Sequence, residues 1–123
     1  MNYGFQRKPA YAMPVAARES EIGGLSWSTR RTLKDAIRLT GGRSGLYKIY
    51  QNRRLTYIGE AANLGKRLGQ HRLCIRRFRA PGPVSVKYAY FGGTQTARRA
   101  VEKDLRAYYR NRGGFDITNI REF

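Results

Sequence analysis

An α+β fold follows from three observations on this chain of 123 residues. Two strand-like runs, residues 45–50 and 55–59, flank a short polar loop. A third run, residues 84–91, has the two-residue alternation of a strand. Stretches with apolar residues at helical spacing lie before, between and after these runs. The length suits one domain with a modest core and is too small for two.

Residues 1–25 show no sustained period and carry Gly4, Pro9, Pro14 and the Gly23-Gly24 pair. They also hold Tyr3, Phe5, Tyr11 and Met13, unusual in a purely solvated tail. The segment reads as an extended arm that docks on this domain, on a second subunit or on nucleic acid. A helix is expected over 28–39, with Ser26 or Ser28 as N-cap and Gly41 as its stop. Leu33, Ala36, Ile37 and Thr40 form its inner stripe, and Arg30, Arg31, Lys34 and Arg38 lie off it. Residues 1–41 are thus an arm plus helix, and residues 42–123 the main module.

Asn63 is placed to cap a helix running to about residue 74, with Leu64 and Leu68 turned inward at i, i+4. Pro81-Gly82-Pro83 ends the basic stretch that follows. In the strand 84–91, Val84, Val86, Tyr88 and Tyr90 share one face, and Ser85, Lys87, Ala89 and Phe91 the other. Thr94 or Thr96 caps a last helix to about residue 110, with Ala97, Ala100, Val101, Leu105 and Tyr108 inward. Gly113-Gly114 ends it, and residues 115–123 close the chain as an extended segment.

The formal net charge is +17, and 19 of the 25 basic residues are arginine. Such a field attracts polyanions, and arginine suits two-pronged phosphate contact better than lysine. Nucleic acid is the expected partner. A ribosomal or packaging protein is the bland competitor. Arg43, Lys48, Arg53, Arg54, Arg72, Arg76, Arg77 and Arg79 are the residues expected to grip phosphate backbone. One cysteine, Cys74, excludes an internal disulfide framework and a Cys-rich zinc site. There is no apolar leader and no run of about eighteen apolar residues. The default compartment is therefore the cytoplasm.

The strings Gly45-Leu46-Tyr47 and Tyr57-Ile58-Gly59, with nine residues between the two tyrosines, resemble the signature of the GIY-YIG nucleases. Leu46 replaces the usual Ile. Further positions fit in order: Arg67 on the next helix, His71 one turn on, Glu102 on the last long helix and Asn119 near the end. The resemblance implies a small, largely antiparallel three-stranded sheet flanked by helices. It also implies a DNA endonuclease that uses one divalent metal, Mg²⁺ or Mn²⁺. Glu102 would then be the metal-binding carboxylate, and Tyr47, Tyr57, Arg67, His71 and Asn119 the remaining catalytic positions. With no second recognition domain, the chain is more like compact restriction-type or phage-type members than those with appended domains.

The chemistry asks for those residue types. A divalent cation polarises the phosphate and lowers the pKa of a bound water. Mg²⁺ is often held by one or two carboxylates and keeps several waters. The chain is poor in the carboxylate clusters of two-metal sites: Asp104 lies roughly 160° around the helix from Glu102. Arg67 offers its fork to the charge growing on the phosphorane. Either Tyr47 or His71 serves as general base; a free tyrosine has a pKa of about 10 and needs nearby cations to act as one. Singly, each residue has a duller reading: strand aromatics for the tyrosines, a solvated Arg67, a packed His71, and Glu102 paired with Arg98 or Arg106 at i±4. Their joint occurrence favours the enzyme. A non-catalytic nucleic-acid-binding protein and a structure-selective or single-strand nuclease are the alternatives. Double-stranded DNA is the favoured substrate, and a homodimer on DNA a means of cutting both strands.

Overall fold

The hairpin on which the rest is built joins β2 (Gly45–Gln51) to β3 (Arg54–Ala61) in the computed structural model. The structure describes residues 18–78 and 82–112, with only the backbone described for 76–78. The turn is tighter than the expected four-residue loop. Asn52 and Arg53 alone form it, both at positive φ (51° and 68°). That left-handed pair matches the twist of an antiparallel hairpin. The Asn52 N–H also donates to the Pro83 carbonyl (3.0 Å), tying the turn to the next strand.

On the other side of β2 lies β4 (Val84–Tyr90), also antiparallel, with Val86 opposite Ile49. Among the described residues the sheet has four strands rather than three. β1 (Arg31–Thr32) adds to β4 with Arg31 opposite Val86 and Thr32 opposite Ser85, giving the order β1-β4-β2-β3. All pairings are antiparallel.

The extra strand replaces the first turn of the expected helix 28–39. Ser28 N–H donates to the Tyr88 carbonyl (2.8 Å), and Ser28 Oγ accepts from Tyr88 N–H (3.0 Å). Residues 28–32 have no apolar side chain to pin a helical turn. Pairing beside β4 satisfies their backbone instead. α1 (Leu33–Thr40) therefore starts later, with Thr32 Oγ1 accepting from the Asp35 N–H. Its inner stripe is as expected: Leu33, Ala36 and Thr40 are buried, and Ile37 packs against them.

α2 (Leu64–Phe78) begins at the expected cap, where Asn63 Oδ1 accepts from Lys66 N–H, and runs about one turn beyond residue 74. α3 (Gln95–Asn111) is capped by Thr94. Val101 and Leu105 are buried as expected, whereas Ala100 is exposed and Arg98 is buried in its stead.

Three layers result. Tyr47, Ile49, Val86 and Tyr88 pack with Leu33, Ala36, Leu64 and Leu68 of α1 and α2. Leu46, Tyr50, Leu55 and Ile58 pack with Val101 and Leu105 of α3 on the opposite face. The alternation expected for 84–91 holds: Val84, Val86, Tyr88 and Tyr90 join the first cluster, and Phe91 the second.

The end of the amino-terminal segment belongs to the second layer. After a 3₁₀ turn at Glu19–Glu21, Ile22 enters the core, with Leu25 and Trp27 beside it. Lys48, expected on DNA, lies beneath this segment and is only 3% exposed. Its Nζ donates to Glu19 Oε2 (2.7 Å) and to Tyr109 Oη (3.1 Å) and sits 4.1 Å from the Trp27 ring centroid. The reason is strand alternation: residue 48 shares the face of Leu46 and Tyr50. Burial pulls its pKa below the ordinary lysine value, against the opposing pull of Glu19. Lys48 is an internal cation, not a phosphate contact. Among the described residues, no helix is long and apolar enough to cross a membrane.

Candidate active site

β3 is an edge strand, and the two helical layers approach each other over that edge. Tyr47 and Tyr57 point to the α2 side, with ring centroids 5.9 Å apart and planes inclined by 14°. One turn of α2 beyond Arg67, His71 meets both rings edge-on, at 5.3 Å from Tyr47 and 4.7 Å from Tyr57. Tyr47 Oη and His71 Nε2 are 2.8 Å apart, a buried hydrogen bond.

Gly59 pairs directly across from Tyr47. A Cβ there would drive into the Tyr47 hydroxyl and ring. The second signature glycine is therefore the space in which Tyr47 lies. At Gly45, a Cβ would strike the carbonyl oxygen of Ala89 on β4. Both glycines permit close approach within the sheet.

From the other layer α3 brings Glu102. A polar cleft of about 380 Å³ is lined by Tyr47, Tyr57, Gly59 and Arg67, and opposite them by Glu60, Arg99, Glu102 and Arg106. The structure thus brings Tyr47, Tyr57, Arg67 and Glu102 to one cleft, with His71 behind Tyr47. Asn119 lies outside the described residues.

Charge inside the cleft is specific. Arg106 donates to Glu102 Oε2 (3.1 Å) and to the Ile58 carbonyl (2.7 Å), and its guanidinium lies 5.6 Å from the Tyr57 ring. Of the two i±4 partners open to Glu102, Arg106 is the one used. Arg98 instead reaches Glu60, Nε to Oε1 at 2.8 Å, while donating to the Gly93 carbonyl (2.7 Å). Arg99 Nε stands 3.7 Å from the other oxygen of Glu60.

Burial raises the Glu102 pKa, Arg106 opposing it. Burial also raises Tyr57, again with Arg106 opposing, and pushes Tyr47 far above the ordinary phenol value, with Tyr57 adding to the rise. His71 is pushed down to about 4, by burial first and by Arg67 second. At neutral pH the Tyr47–His71 pair is uncharged. A tyrosine so placed does not ionise by itself; to accept one proton it would have to pass another on.

Among the described residues no group of three or more His, Cys, Asp or Glu is arranged to hold a metal. Two carboxylates line the cleft: Glu60, held by Arg98 and Arg99, and the half-buried Glu102, paired with Arg106. That donor set fits a hard cation that keeps most of its water, as Mg²⁺ does.

The basic residues divide. Arg53 and Arg54 are exposed at the hairpin turn, roughly 13 Å along the strand from the Tyr47–Gly59 pair. Arg43 is exposed and stacked 3.4 Å from the Tyr90 centroid, and Arg72 is half-buried on α2. None of the four lines the cleft. Arg79 and the side chains of Arg76 and Arg77 lie outside the described residues.

The cleft residues not anticipated are Glu60 and Arg99, and Arg106 was expected only as an ion-pair partner of Glu102. Glu60 immediately follows the second signature string, and Arg106 stands four residues from Glu102, so spacing held a signal for both. For Arg99 it held none. Comparison with protein-family models, curated proteins and solved structures finds no match.

Proposed function

We propose that this chain is a divalent-metal-dependent DNA endonuclease of the GIY-YIG type, hydrolysing phosphodiester bonds at the cleft over β3. The observation that carries the reading is convergence. Tyr47, Tyr57, Arg67 and Glu102 come from four different elements and both faces of the sheet, yet line one cleft. Packing alone gives no reason for such a meeting at a sheet edge.

A bound Mg²⁺ or Mn²⁺ would polarise the phosphate and acidify a water, with Glu102 as its protein ligand. Arg67 binds a non-bridging phosphate oxygen and stabilises the charge that develops there. Arg99, on the facing wall beside Glu102, is a second phosphate contact. Tyr47 takes the proton of the attacking water while handing its own to His71 Nε2, which accepts when the imidazole carries its proton on Nδ1. The phosphodiester's negative charge beside Arg67 offsets the smaller of the two effects that keep His71 neutral; burial, the larger, makes the imidazole a transient holder of the proton. Tyr57 orients the water or a phosphate oxygen. One site attacks one strand, so a double-strand break calls for two copies on the DNA or two encounters.

The Arg106–Glu102 ion pair favours a second reading. It already satisfies the carboxylate, as a non-catalytic basic nucleic-acid-binding protein would need. One experiment separates the two. Supercoiled plasmid is incubated with purified protein in Mg²⁺, in Mn²⁺ and in chelator, alongside Glu102→Gln. The nuclease reading expects nicked or linear product only with metal, and none from Glu102→Gln although it still binds DNA. Binding without cleavage by the wild type supports the second reading.

A further inference from the structure

We infer that a second cleft, bordering the first at Glu60 and Arg67, reads the edge of a base beside the scissile phosphate through the side-chain amides of Gln70 and Gln95. The inference rests on the proposed nuclease function and names what would set its sequence preference.

The second cleft has a volume of about 320 Å³ and shares Glu60 and Arg67 with the first. Arg67 therefore stands at the junction. A strand whose phosphate meets Arg67 in the first cleft places an adjoining nucleotide in the second. That volume lies within the usual range of small-ligand sites, roughly 300–1,000 Å³.

The lining differs in kind from that of the first cleft. Gln70 comes from α2 and Gln95 from the first residue of α3. Both are exposed. Neither amide is drawn into a hydrogen bond with another described residue. Asn63, in the same wall, is committed to the cap of α2 through Oδ1. Lys66 and Arg67 supply the charge for a phosphate, so two uncommitted amides are surplus to that task. An amide carries a donor and an acceptor side by side, which matches the paired acceptor and donor of adenine in the major groove. The ligand is thus a nucleobase edge, with adenine preferred.

The test reads ratios within a randomised duplex library, so overall rate drops out. Wild type, Gln70→Ala, Gln95→Ala and Gln95→Glu are compared by sequencing the ends of cleaved molecules. In parallel, Glu102→Gln protein with and without each substitution is used to enrich bound duplexes with no cutting. Wild type should prefer particular bases within a few positions of the cut, and each Ala variant should flatten one of them by about tenfold or more. Gln95→Glu keeps the volume but presents only acceptors, and should shift its position toward cytosine, whose N4 donates. Flat wild-type profiles, or profiles unchanged in all variants, overturn the inference. If the wild type cuts nothing, the nuclease reading fails and the enrichment profiles alone decide the cleft.

Discussion

Arg67 and Glu102 reach one cleft from opposite faces of the sheet, and their losses should differ. Arg67→Ala should lower the rate of plasmid nicking by about 10² or more, the scale for deleting a donor to a developing oxyanion. Its fold should survive, because the Arg67 side chain is only half-buried. His71 makes a different prediction, about pH. An unfolded histidine takes up a proton near its ordinary value of about 6.5. The buried one resists until about 4. Stability from this group is present above the higher value and lost as pH falls through the window, by a total on the order of 3 kcal/mol. Denaturant melts from pH 7 to 4 should show this slope flattened in His71→Gln; an equal slope would detach His71 from the acid sensitivity. At this scale the meeting of Tyr47, Tyr57, Arg67 and Glu102 in one cleft was legible from their order in the chain, whereas Glu60 and Arg99 beside them were not. Nor was Lys48. A lysine in a strand reads as a surface residue even between Tyr47 and Ile49, and its partner Glu19 lies 29 residues away. The available signal was its place between Leu46 and Tyr50, on the face that packs against α3.

Elements were legible where a period or a cap announced them. Asn63, Thr94 and the Leu64–Leu68 pair marked α2 and α3, and the alternation of 84–91 marked β4. β1 escaped because two residues have no period; it exists through its hydrogen bonds with β4. Arg98 escaped because arginine on a helix reads as solvated. Yet its spacing from Val101 and Leu105, three and seven residues, puts it on the buried stripe. The pairing of β2 with β3 supports a prediction of its own. Gly59→Ala places a methyl group where the Tyr47 hydroxyl lies. The ring must move and its contact with His71 breaks. Nicking should fall below a tenth of wild type if Tyr47 relays the proton. Overpacking should cost about 1–3 kcal/mol in a thermal or denaturant melt. Normal nicking from a folded Gly59→Ala protein would remove the Tyr47–His71 pair from the mechanism.

For the molecule as a whole, the charge of +17 predicts binding that weakens steeply with salt. Each phosphate contact on duplex DNA contributes about 0.9 to the log–log slope. Replacing Arg53 and Arg54 together by alanine should reduce the slope by up to about 2. An unchanged slope in a salt titration would place the hairpin turn off the DNA. Residues 1–17 of the expected arm lie outside the described residues; we propose that they join two copies or wrap the DNA. Deleting residues 1–17 should lower the ratio of linear to nicked plasmid, with mass on DNA measured alongside. The deletion has to stop there. Glu19 holds the buried Lys48, and removing one partner of a buried pair costs about 3–5 kcal/mol.

That buried pair also bears on how the chain reaches its native state. Glu19 accepts from both Lys48 and the hydroxyl of Tyr109, which stands 90 residues away. Closing so long a loop is entropically expensive and is repaid only when α3 has docked. The link should therefore form after the main barrier, acting as a latch on the finished molecule. Glu19→Gln should then speed unfolding and leave the folding rate nearly unchanged, as for contacts absent from the transition state. Stopped-flow measurement of both limbs decides it: a slowed folding limb would mean that the latch closes early.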